Sequence, residues 1–184
     1  QTLLQRLLSR GSSAVLRNHC ARTARACAGI IAPSQACAAF IQAAYQLPAA
    51  KVAAIHYGVE LKHLPEISLR RQAGPLRLIF AGNYLRAKGV GILEAVLPEL
   101  GARYRDMRLT FVIPKESVAP VQETFEPVFG DRLKVHSWMP RQELLTLLGQ
   151  HDVFIFSSLF EAFGKVWLEA MACGLCVVGF AQGG

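Results

Sequence analysis

Phe156-Ser157-Ser158-Leu159-Phe160-Glu161-Ala162-Phe163-Gly164-Lys165-Val166-Trp167-Leu168-Glu169-Ala170-Met171-Ala172-Cys173-Gly174 is the stretch on which the reading of this chain turns. Its first half reads as a polar strand-to-helix loop, and the rest as a helix closed by a glycine. Glu161 is expected where the loop enters the helix, with Glu169 about two turns further on. That spacing puts both carboxylates on one side. Between them, at Phe163 and Gly164, a helix N terminus offers backbone N–H groups and a positive dipole end suited to a phosphate. Two hydroxyl-binding carboxylates around an anion site fit a nucleotide-sugar. Plainer readings stand beside this one. Ser158 and Glu161 have the spacing of a capping box, and Glu169 has the alternative of an arginine partner elsewhere. Even so, Phe160, Phe163, Val166, Trp167 and Leu168 make the segment apolar on most sides, and an acid set among them needs a partner.

This helix closes a regular alternation. Apolar strand-like runs are expected at Leu76–Ala81, Leu109–Ile113, Leu133–His136, Val153–Phe156 and Cys176–Gly179. Helical patterns lie between them at Val90–Tyr104, Ser117–Val128, Gln142–Gly149 and Lys165–Cys173. Strands alternating with helices imply an α/β, Rossmann-like doubly wound parallel sheet covered on both faces. With strand order 3-2-1-4-5, the loops after the first and fourth strands meet at the switch point, where such sheets bind ligands. The first of these loops is Gly82-Asn83-Tyr84-Leu85-Arg86-Ala87-Lys88-Gly89. Gly82 leaves room for a ligand to approach the backbone, and Arg86 and Lys88 bring positive charge to a helix start, as a diphosphate needs. The spacing is neither a Walker loop nor G-x-G-x-x-G.

Upstream, residues 2–25 read as a helix with a break at Gly11-Ser12-Ser13. Gly29–Ser34 reads as a short buried strand, and Ser34 as the N-cap of an alanine-rich helix reaching Tyr45. Lys51–Ile55 reads as another strand, and residues 60–75, with Pro65, Gly74 and Pro75, as a linker. The chain has 184 residues, 52% hydrophobic and 18% charged, which implies a sizeable core and excludes wholesale disorder. Its net charge of +7 belongs to the N-terminal third, since no acid precedes Glu60. That basic, leucine-bearing start admits three readings: an ordinary helix with a solvated basic face, an amphipathic helix on an anionic membrane surface, or a targeting peptide. No apolar run approaches the ~20 residues needed to span a bilayer.

Cysteine and histidine add little chemistry. The five cysteines lack a disulfide or zinc framework and point to a reducing compartment. Cys173-Gly-Leu-Cys176 falls at a helix end, where the dipole disfavours a thiolate. The histidines have no ligand spacing, so no metal site is expected. Trp138 and Met139 are expected to pack in the core, with a place beside a nucleobase as the alternative. The basic residues lack aromatic interleaving, so nucleic-acid binding is not expected.

Three stretches carry a family resemblance: Ile79–Gly89 with Leu93-Glu94-Ala95, the Glu161-x7-Glu169 block to Gly174, and Val177–Gly184. They resemble glycosyltransferase family 4, the retaining GT-B enzymes of the group 1 family. Ile31-Ala-Pro-Ser34 and Ile55-His-Tyr-Gly58-Val59 resemble its inter-domain boundary. The resemblance implies that residues 1–59 are the tail of an N-terminal acceptor domain and residues 76–184 an incomplete donor-binding domain, a fragment not expected to transfer sugar alone. It implies that Glu161 contacts the donor sugar near the reacting centre and that Lys88 neutralises the diphosphate leaving group. Glu169 would bind the ribose hydroxyls, and the amides of Phe163, Gly164 and Lys165 would cradle phosphate or sugar. Gly82, Asn83, Arg86 and Ser158 complete the expected donor-binding set. The implied partners are a nucleoside-diphosphate sugar and a glycan or lipid acceptor, with no cofactor or divalent ion, in the cytoplasm or at the inner face of a membrane. Asn83 departs from the arginine common after the first glycine, with Arg86 as its substitute from the same loop. Other readings are a nucleotide-sugar epimerase, whose extra acids and histidine find no place here, a nucleotide-sugar-binding module without turnover, and a nicotinamide dehydrogenase, disfavoured for lack of G-x-G-x-x-G.

Overall fold

A computed structural model describes residues 3–60, 62, 64 and 74–181. The expected linker lies mostly outside the described residues. The chain divides into two compact units, one running to Tyr57 and the other beginning at Gly58.

The first unit opens with α1, Leu3–Ala26, followed by β1 (Ile30–Ala32), α2 (Gln35–Tyr45) and β2 (Val52–Ala54). The expected break at Gly11 does not form, and α1 is continuous through it. A single mid-helix glycine costs only about 1 kcal/mol, which its neighbours' propensities offset. Ser34 caps α2 as expected, its Oγ accepting the Cys37 N–H at 3.1 Å. β1 and β2 pair in parallel. The expectation of a buried strand at 29–34 holds on one side only: Ala32 is fully buried in a small core with Ala38 and Val52, while Ile31 is 71% exposed.

The second unit is a five-stranded parallel sheet. Its strands are β3 (Arg77–Ala81), β4 (Arg108–Ile113), β5 (Leu133–Ser137), β6 (Val153–Phe156) and β7 (Cys176–Gly179). They lie in the order β5-β4-β3-β6-β7, which is the doubly wound order expected. Between them run α3 (Val90–Arg103), α4 (Val118–Phe129), α5 (Arg141–Leu148) and α6 (Lys165–Ala172). The central strands β3, β4 and β6 are apolar almost throughout because helices cover both their faces. Leu78, Phe80, Leu109 and Phe111 pack with Leu93 and Leu97 of α3 and Phe125 and Phe129 of α4. Ile79, Ala81, Val112 and Phe154 pack on the other face with Leu145, Leu148 and Ala170. Arg77 binds Asp152 through two 3.1 Å contacts and a 2.8 Å backbone N–H bond, pinning β3 to the start of β6. β7 is an edge strand, with Val178 and, just beyond it, Phe180 exposed. Among the described residues no helix is long and apolar enough to cross a membrane.

Because β3 and β6 are neighbours, the loops that follow them are pressed together. The Ser157 hydroxyl donates to the Lys88 carbonyl at 2.7 Å, and the Leu159 N–H donates to the Ala87 carbonyl at 2.9 Å. Gly89 makes this approach possible. It has φ +71°, and a Cβ there would overlap the Ser157 carbonyl oxygen. Gly89→Ala should therefore cost on the order of 3 kcal/mol from backbone strain and displacement together, read as a lowered urea midpoint. A loss below about 1 kcal/mol would mean that the two loops are not held in contact.

His151 follows α5 and supplies a pH dependence. Its Nδ1 donates to the Leu147 carbonyl at 2.7 Å, so Nε2 accepts from the Thr110 hydroxyl at 2.8 Å. Burial lowers its pKa, and the charges of Arg77 and Lys134 push the same way. The unfolded chain, with an ordinary histidine near pH 6.5, thus takes up the proton first as pH falls. Stability from this group is complete above about pH 6.5 and is lost below it. The melting temperature should fall between pH 7 and pH 5.5, and fall less steeply in His151→Gln. Equal slopes in both proteins would refute the assignment.

Candidate functional site

A cavity of about 430 Å³ opens at the carboxyl ends of the central strands, within the range of small-molecule sites. Gly82, Asn83 and Lys88 reach it from the loop after β3, Ser158 and Glu161 from the loop after β6, and Lys165, Val166 and Glu169 from α6. Trp138, Met139 and Arg141 border it from the β5–α5 connection. The two carboxylates and the lysine on which the sequence reading rests therefore share one cavity, together with Gly82, Asn83, Ser158 and Lys165. Arg86, Phe163 and Gly164 do not line it.

Glu161 is not on the helix. α6 begins at Lys165, and Gly164 adopts φ +80° as its N-cap. A Cβ on Gly164 would press into Trp167 and Phe156, which the apolar side of the loop brings close. Glu161 and Glu169 are therefore brought together by the loop's path and not by helical phase. The capping box, the plainer reading of Ser158 and Glu161, does not form either, because the helix starts too late for it. Instead the Ser158 hydroxyl lies 3.5 Å from Glu161 Oε2. Glu161 Oε2 also accepts from the ammonium of Lys88 across the cavity.

Glu169 does lie on α6, and only 8% of it is exposed. A buried carboxylate needs a partner, and it has one in Arg141, whose Nε donates to Glu169 Oε1 at 2.8 Å. This pairing raises the guanidinium pKa further, so Arg141 stays charged. The arginine partner, an open alternative in the sequence, is thus realised. Among the cavity side chains the bases are Lys88, Arg141 and Lys165, and the acids Glu161 and Glu169. Three bases against two acids leave the lining net positive, which suits an anion. Gly164 has no side chain to cap α6, so the helix end adds its own partial positive charge.

The remaining expected residues have other surroundings. Arg86 is exposed in a short turn of 3-10 helix, Arg86–Lys88, outside the cavity. Phe163 is buried against Trp167, whose Nε1 donates to the Phe163 carbonyl at 2.7 Å. Trp138 corrects an expectation: it is 53% exposed at the cavity wall and not in the core, while Met139 packs against the core beneath. Arg141 is the one cavity charge that the sequence reading misses. A signal exists, because an arginine as the first residue of a helix opposes the dipole. The Cys173-x-x-Cys176 pair is not a redox site: Cys173 is buried at the end of α6, and burial followed by the Glu169 charge pushes its thiol up to about 11. Among the described residues no three of His, Cys, Asp and Glu gather closely enough to hold a metal ion.

Comparison with known proteins bears on the family and the fold. The family model described as glycosyl transferases group 1 matches residues 75–184. One subunit of the human phosphatidylinositol N-acetylglucosaminyltransferase is 29% identical over 119 residues, covering 62% of this chain and 24% of that protein. The glycogen synthase of Mycobacterium tuberculosis is 28% identical over 138 residues, covering 73% of this chain and 33% of the synthase. This chain thus spans about a quarter to a third of the length of these relatives. Among solved structures, Anabaena Alr3699/HepE in complex with UDP and glucose superposes with a TM-score of 0.74 at 22% identity, covering 91% of this chain and 48% of that one. WaaG, a glycosyltransferase involved in lipopolysaccharide biosynthesis, gives 0.66 at 19%, covering 82% and 44%. These two likenesses bear on the fold, and the Rossmann-like class is the one expected. The family match covers more than half of the chain, which belongs to the group 1 glycosyltransferases.

Proposed function

We propose that this chain is the donor-binding part of a retaining, family 4 glycosyltransferase that moves a sugar from a nucleoside diphosphate to a glycan or lipid acceptor. The observation that carries this reading is the gathering of Lys88, Glu161 and Glu169 around one cavity at the switch point of the sheet. In this reading Lys88 meets the diphosphate, Glu161 the sugar beside it, and Glu169 the ribose hydroxyls. Gly82 and Asn83 form the floor of the phosphate site, and Ser158 holds Glu161. The N terminus of α6, at Gly164 and Lys165, faces the phosphates, with Phe163 fixing the loop behind it. Arg86 joins only if the bound diphosphate draws its turn inward.

As the bond between the anomeric carbon and the diphosphate oxygen breaks, its electron pair passes to the diphosphate, while the acceptor hydroxyl oxygen bonds to the same carbon and its proton goes to the departing diphosphate. The growing negative charge is met by fixed positive charge already in place, without a metal ion in this reading. The presence of UDP and glucose in the Alr3699/HepE structure favours a uridine nucleotide. Likeness to a glycogen synthase and to a phosphatidylinositol N-acetylglucosaminyltransferase supports a glycan or lipid acceptor. Val15 and Leu16, exposed beside Arg17 on α1, suit contact with an anionic membrane surface on the cytoplasmic side.

Calorimetry of the 184-residue chain with UDP, GDP and their sugars tests the proposal. Binding is expected, with no transfer by this stretch alone. Lys88→Gln should weaken diphosphate binding about thirtyfold, the loss of roughly 2 kcal/mol from one charge-assisted contact, and should leave uridine or guanosine affinity unchanged. A folded chain that binds neither nucleotide would overturn the reading.

A further inference from the structure

The pairing of Arg141 with Glu169 is unusual for both residues. Arg141 is the first residue of α5, following Pro140, where the helix end repels a cation. Its side chain is 42% exposed, so solvent is available to it without any partner. Glu169 comes from α6, 28 residues later in the chain, and is almost wholly buried. The unfavourable placement of the arginine is offset by what it does for that carboxylate. Both side chains line the same cavity, and the contact is a single one, Nε to Oε1 at 2.8 Å. A carboxylate has about four lone-pair sites, so Oε2 and part of Oε1 remain available to a ligand.

We propose that Arg141 is a positioning residue: by holding Glu169 Oε1, it fixes the carboxylate so that its remaining lone pairs receive the vicinal hydroxyls of a nucleotide ribose. The inference rests on the donor-binding reading above and assigns to that site the device that orients its hydroxyl acceptor. Arg141 itself need not touch the nucleotide. A rotatable carboxylate would lose freedom on meeting the diol, whereas one already held by a guanidinium loses less. The device therefore acts on ribonucleotides and is silent toward nucleotides without ribose hydroxyls.

That selectivity gives the test. UDP and GDP, with their 2′,3′-dideoxy counterparts, are titrated calorimetrically into the native chain, Arg141→Gln, Glu169→Gln and the double variant. The native chain is expected to prefer the ribonucleotide. Arg141→Gln should lose about tenfold in ribonucleotide affinity, about 1.4 kcal/mol, with the dideoxy affinity essentially unchanged. Glu169→Gln should erase the preference, and adding Arg141→Gln to it should cost nothing more. The double variant leaves no unpaired buried charge, so it reports even where the single arginine variant fails to fold. Equal losses for both nucleotide types, or no loss in Arg141→Gln, would overturn the inference, as would a further loss when Arg141→Gln is added to Glu169→Gln. A native chain that binds ribose and dideoxy forms equally well sinks the inference and leaves nucleotide binding standing. A native chain that binds no nucleotide removes the donor-binding reading itself, and this inference with it.

Discussion

The contact between the loops after β3 and β6 governs everything at the site. Two short strands of one sheet end side by side, and their loops are joined by the Ser157 hydroxyl on the Lys88 carbonyl and the Leu159 N–H on the Ala87 carbonyl. Lys88 and Glu161 stand on opposite sides of that seam and form an ion pair across it. Without the seam, each charged group would belong to an independent surface loop, and surface ion pairs of that kind contribute little. The seam depends on the absence of a side chain at Gly89 and on the adjacency of β3 and β6. Sheet topology thus reaches the chemistry through one backbone junction.

The site also shows how acids in a cavity are accommodated. Glu161 has Lys88 and Ser158, and Glu169 has Arg141. Each cation comes from a different element from its acid, so the pairs also tie α3's leading loop and α5 to the β6–α6 segment. Because Glu169 is buried, removing Arg141 alone would be costly. A ligand that offers hydroxyls to the acids and negative charge to the bases meets groups already oriented.

Much of this is legible from residues alone, for identifiable reasons. Strands buried on both faces give unbroken apolar runs, so β3, β4 and β6 stand out, and their order follows from the doubly wound pattern. Helix ends are legible where a residue type fixes them, as Ser34 does for α2. Local geometry under tertiary control is not. Helical phase would bring Glu161 and Glu169 to one side of a common helix, but that helix begins only at Lys165, after Gly164 with φ +80°, and the path of the loop sets where Glu161 lies. Size alone puts Trp138 in the core, yet its loop holds it at the cavity wall. Arg141 escapes notice because its meaning lies in a partner 28 residues away. Only the conflict with the dipole of its own helix marks it beforehand.

The edge of the sheet has a consequence of another kind. From Cys176 to Ala181 the chain has no charged residue and no proline, and Val178 and Phe180 are exposed. The outer side of β7 has no strand partner among the described residues. Native sheets normally blunt such an edge with lysine, proline or a bulge. Wherever β7 stands uncovered, its free backbone groups favour strand-on-strand association between molecules, and a single lysine on its outward face would oppose it.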